Sequence, residues 1–161
     1  MRQGKNVLKV VLFLIFISPF VAFKIDKSKL KIITQNLNRP NLTLTIDTFS
    51  EFPPEIDGCS CYFSNNSGEL ASHKYIYAND FAQTSFMKIN GVLTKFTQVS
   101  LKKIDNKNTI AKYKSSKFEI TLEIKDGKKN GEETMLKTGT ITLTDKQGNS
   151  IKKIFYGECG C

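Results

Sequence analysis

Tryptophan is absent from the chain, and histidine occurs once, at position 73. With a single imidazole and no Ser-His-Asp or Cys-His arrangement that spacing makes specific, nothing here predicts nucleophilic catalysis. Asp57, Asp80 and Glu158 are scattered carboxylates, spaced neither as a metal-binding loop nor as an acid/base pair. No segment repeats and none is of low complexity. The only long apolar run, residues 10–23, has 14 residues, whereas a spanning helix needs about 20. A stable membrane span is therefore not expected. No cysteine lies in or just after that run, which excludes the acyl attachment of a bacterial lipoprotein.

Arg2, Lys5 and Lys9 precede the apolar run, the order of a secretory signal. Residues 1–22 are read as that signal, cut near Ala22, although Phe20 is not the small residue such a site favours. Removing it leaves 21 basic against 15 acidic residues, a charge of +6 in place of +9. Export makes nucleic acid an unsuitable partner. The basic residues are Lys except for Arg2 and Arg39, a bias that fits an AT-rich bacterial genome. Lys102 and Lys103, Lys112, Lys114 and Lys117, and Lys152 and Lys153 offer a stripe for an anionic envelope ligand, or simply a solvated surface that discourages edge aggregation. The sequons at Asn41 and Asn65 matter only in a eukaryotic source.

Residues 23–161 are expected to form one all-β domain. Twelve Phe and five Tyr provide large apolar bodies for its core. Phe118, Ile120, Leu122 and Ile124 alternate with polar residues, as do Leu42, Leu44 and Ile46, and Ile141 and Leu143. Period two marks strands with one buried face. Asn90-Gly91 between two apolar runs predicts a type I′ hairpin with Ile89 opposite Val92, and puts Met87, Ile89, Val92 and Phe96 on the core face. Further turn residues stand at 65–68, 105–108, 126–131 and 145–148. About nine strands result: near 29–34, 41–49, 58–64, 73–79, 84–90, 91–101, 109–125 as one bent or two separate strands, 134–145 and 149–159. Serial hairpins favour an antiparallel up-and-down barrel or a sandwich. Pro53-Pro54 separates residues 23–54 as edge strands or an arm.

Cys59 and Cys61, and Cys159 and Cys161, form two Cys-x-Cys pairs. In a strand, residues two apart share a face, so each pair offers two sulfurs on one side, accompanied by Phe63 and Phe155 respectively. If the third and last strands run antiparallel, one register sets Cys59 opposite Cys161 and Cys61 opposite Cys159. Strand spacing of about 4.8 Å and disulfide Cα separations of about 4.4 to 6.8 Å permit both rungs. Other connectivities remain open. So do a four-thiolate site for Zn²⁺ or Cu(I) and disulfide exchange at the terminal Cys-Gly-Cys. Structural disulfides are the expected form because exported compartments oxidise such pairs.

His73, Tyr75 and Tyr77 share strand parity, which suits a cross-strand packing ladder first and an aromatic recognition strip second. No motif identifies a family. The sequence thus predicts an exported, non-enzymatic binding or envelope-associated β domain without a cofactor, located in the periplasm or outside the cell. Its partner would be an unidentified protein or an anionic envelope ligand.

Overall fold

The computed structural model describes residues 43–161. The expected signal at 1–22 and the strand near 29–34 lie outside the described residues.

The elements are β1 (Ile46–Asp47), β2 (Ser60–Ser64), α1 (Ser67–Ala71), β3 (Tyr77–Asn79), β4 (Thr84–Ile89), β5 (Val92–Lys103), β6 (Asn108–Lys114), β7 (Phe118–Lys129), β8 (Met135–Asp145) and β9 (Ser150–Gly160). From β2 to β9 each strand pairs antiparallel with the next, and β9 pairs back to β2. Eight strands therefore close as an up-and-down barrel, which removes most free sheet edges. β1 is the extra strand. It pairs with the far end of β4, and Phe49 just beyond it bridges to Tyr75.

The inner face follows the period-two pattern. Phe63, Tyr77, Met87, Ile89, Phe96, Ile120, Leu122, Ile141, Leu143 and Phe155 are buried together. Phe63 stacks on Phe155 at 4.1 Å between ring centroids and on Tyr77 at 5.2 Å. Large side chains thus fill an eight-stranded interior, as this barrel size requires.

The hairpin at Asn90-Gly91 forms in the expected register, Ile89 opposite Val92, with φ of 47° and 79° at the two turn residues. Both are positive, as a type I′ turn demands. One member of the expected core set departs from it. Val92 shares the inward parity of Met87 and Ile89 but is 65% exposed, because it stands at the barrel rim with no layer beyond it. The stretch 109–125 is two strands, β6 and β7, joined by a turn in which Ser115 N–H donates to the Phe118 carbonyl.

Helix α1 arises where turn residues were expected. Asn66 caps it by accepting from Glu69 N–H at 2.9 Å, and the Glu69 carboxylate reaches back to Asn65 Nδ2 at 2.6 Å. This is the reciprocal logic of a capping box. Five residues are too few to display a 3.6 period.

Candidate functional site: a stapled seam and the cleft beside it

The closing seam of the barrel is the pairing of its first and last strands, β2 and β9, with Cys61 opposite Cys159 and Ser60 opposite Gly160. That register joins Cys59 to Cys161 and Cys61 to Cys159 as two disulfides. Cys61 and Cys159 are buried with the core, whereas Cys161 is exposed at the rim. No described cysteine is free, so none stands ready as a thiolate ligand. Among the described residues, no group of three or more His, Cys, Asp and Glu side chains gathers as a metal site.

On the outer face of the same seam lies a cleft of about 380 Å³, walled by α1 and floored by β2, β8 and β9. Parity builds its floor. Since Cys61, Phe63 and Cys159 point inward, Tyr62 and Glu158 point outward, and the register sets Tyr62, Glu158 and Leu136 side by side. Tyr62 donates its hydroxyl to Glu158 Oε1, and Asn130 Nδ2 donates to Glu158 Oε2 at 2.9 Å. The carboxylate is held from both sides. Burial, and then the hydrogen bond to Glu158, push the Tyr62 hydroxyl well above the ordinary tyrosine range. Burial, and then the Glu158 charge, raise Tyr75 as well.

Behind these hydroxyls Tyr62 packs edge to face against Tyr75 and Phe52, and Phe52 lies tilted against Tyr75. Tyr62 and Tyr75 are 5.3 Å apart, and Phe52 touches both, at 5.6 and 5.0 Å. Phe49, Tyr75 and Ala78 form the buried centre of this second, outer cluster.

His73 enters the cleft from the end of α1. Its N–H donates to the Leu70 carbonyl and that of Lys74 to the Glu69 carbonyl, the paired bonds of a Schellman motif. The motif requires a left-handed residue at the position of His73, whose φ is 53°. Glycine usually fills it. A histidine there costs about 1–3 kcal/mol of backbone strain. Its ring Nδ1 lies 2.8 Å from the Tyr75 hydroxyl.

The expected strip of His73, Tyr75 and Tyr77 is therefore divided. His73 and Tyr75 meet at the cleft, while Tyr77 is fully buried among the barrel residues. The left-handed turn at His73 and the bridge of Tyr75 to Phe49 precede β3, so uniform strand parity does not extend across all three positions. No motif marks Tyr62 or Asn130, and in the sequence Glu158 is one of several scattered carboxylates. The parity that set Cys61 and Cys159 inward already placed Tyr62 and Glu158 opposite each other.

Neither a protein-family model, nor a curated protein, nor a solved structure matches the chain. Two disulfides in a closed barrel are the mark of a stable domain matured in an oxidising environment. No described helix is long and apolar enough to cross a membrane.

Proposed function

We propose that the protein is an exported, non-enzymatic binding domain of the cell envelope, and that the cleft beside the stapled seam is its recognition site. One observation carries this reading: His73 occupies a left-handed position suited to glycine and sets its imidazole against Tyr75 in that cleft. Strain retained where a smaller residue would relieve it points to a use for the side chain.

The lining favours one chemistry. Glu158 and three tyrosines, Tyr62, Tyr75 and Tyr156, line the cleft, and no described lysine does. A carboxylate framed by aromatic rings suits a basic side chain of a partner protein, through charge-assisted hydrogen bonding and cation–π contact. The positive net charge of the chain does not prevent this, because the Debye length is about 8 Å at physiological salt and the local carboxylate decides. An anionic envelope ligand would suit the lysine-bearing surfaces instead.

Calorimetric titration of the mature protein with an acetylated, amidated Arg-rich peptide and its Glu-rich counterpart tests the reading. Binding of the Arg peptide alone is expected, weakened at least tenfold by Glu158→Gln. His73→Gly should also weaken binding while leaving the melting temperature equal or higher, since glycine relaxes the turn. Equal binding of both peptides, or indifference to Glu158→Gln, would overturn it.

A further inference from the structure

A second surface, at the opposite end of the barrel wall, rests on different observations and stands whether or not the flank cleft binds. The pairing of β5 with β6 begins at Thr97 opposite Lys114. β6 stops there because Ser115 N–H closes a tight turn onto the Phe118 carbonyl, and the Ser115 hydroxyl caps that turn by accepting from Phe118 N–H at 3.0 Å. β5, however, starts five residues earlier, at Val92. Along residues 92–96 its edge away from β4 faces a gap, with no neighbouring strand among the described residues.

The backbone polarity of that edge follows from the hairpin. Ile89 and Val92 flank a two-residue turn and form the hydrogen-bonded pair that closes it, after which the antiparallel ladder alternates. Val92, Thr94 and Phe96 therefore direct their N–H and C=O groups toward β4, and Leu93 and Lys95 direct theirs away from it. No described residue hydrogen-bonds the main chain of Leu93 or Lys95 from the gap. An unpaired strand edge is a template for another strand.

The gap is a cleft of about 460 Å³, within the range of about 300–1,000 Å³ typical of ligand sites. Val92, Leu93 and Phe118 give it apolar wall, and Lys95 and Lys117 give it charge with no described carboxylate in the lining. Lys95 is already engaged by Glu55 at 3.7 Å, whereas Lys117 makes no ion pair with a described residue.

We infer that this cleft is a strand-addition site for an extended peptide segment carrying an acidic residue among apolar ones. The main-chain groups of Leu93 and Lys95 supply its hydrogen bonds, which are indifferent to sequence. Lys117 and the apolar wall supply the selection.

The probe is a fluorescently labelled, acetylated and amidated peptide of alternating Val and Glu, titrated into the mature, oxidised protein and read by anisotropy. Controls are the same peptide N-methylated at alternate residues and a Val/Lys version. The Val/Glu peptide is expected to bind, with at least a tenfold loss on N-methylation and on Lys117→Glu, and the latter should improve binding of the Val/Lys peptide. Lys95→Pro removes one outward N–H without touching the β4 ladder, where proline at a free edge is tolerated. It should abolish binding while the melting temperature stays within a few degrees. No binding at millimolar peptide, or equal binding of the N-methylated probe, overturns the inference. So would a concentration-dependent dimer that Lys95→Pro dissolves, because the edge would then serve a second copy of this chain.

Discussion

Tyr62 shows how one residue ties the seam to the cleft. Its main chain pairs with Glu158 across the two strands that close the barrel, and its hydroxyl donates to the same residue. Because its hydroxyl titrates above the ordinary tyrosine value of about 10, the folded state keeps a proton that the unfolded state releases. Stability contributed by this group is complete below that value and is lost as pH rises toward the higher folded one. Thermal melts between pH 9 and pH 12 should show wild type losing stability more steeply than Tyr62→Phe, and parallel curves would contradict the assignment. Gly157 is the other critical residue of the seam. A Cβ there would lie 2.2 Å from the Tyr62 carbonyl oxygen and 2.5 Å from the Phe63 ring. Backbone must move to admit it, so Gly157→Ala should cost several degrees of melting temperature even though alanine is a minimal change.

At the scale of elements, the β4–β5 hairpin is the clearest product of local sequence. Replacing both Asn90 and Gly91 by valine should damage folding more than the same change at Lys128 and Lys129, because only the first pair holds positive φ. Denaturant midpoints that fall equally would count against this. Period-two alternation made β7 and β8 legible, and cysteine parity made the β2–β9 register legible. Three things escaped it. α1 is one turn long and is held by its caps rather than by a periodic face. Val92 obeys parity, but exposure at a rim depends on where the barrel ends, which no local pattern records. The cleft is built on outward residues, Tyr62 and Glu158, whose pairing is the hidden complement of the inward cysteines, and a left-handed histidine leaves no mark in a sequence. The two disulfides also differ as elements. Cys59–Cys161 lies at the rim and Cys61–Cys159 within the core, so limited reductant followed by alkylation and peptide mapping should label Cys59 and Cys161 first. Simultaneous labelling of all four would mean that the seam opens as one unit.

For the whole molecule, the decisive feature is where the covalent links fall. Every barrel pairing from β2 through β9 joins strands adjacent in sequence, except the one that shuts the ring. The disulfides cross that pairing, at sequence separations of 102 and 98 residues. For a loop of this size the chain-entropy model assigns about 4.7 kcal/mol to the first link. The second closes little additional loop and adds far less. A barrel whose ring-closing pairing is covalently linked keeps its flank cleft assembled in an oxidising environment, because Tyr62 and Glu158 belong to opposite sides of the seam. The most direct test compares guanidinium unfolding of the oxidised protein with that of a variant ending at Glu158, which lacks Cys159, Gly160 and Cys161 but retains nearly all of the apolar core. Truncation is expected to cost about 2–5 kcal/mol, the usual cost of losing a native disulfide, and the oxidised protein should yield peptides linking Cys59 to Cys161 and Cys61 to Cys159. An unchanged midpoint together with four alkylatable thiols in the purified full-length protein would contradict it.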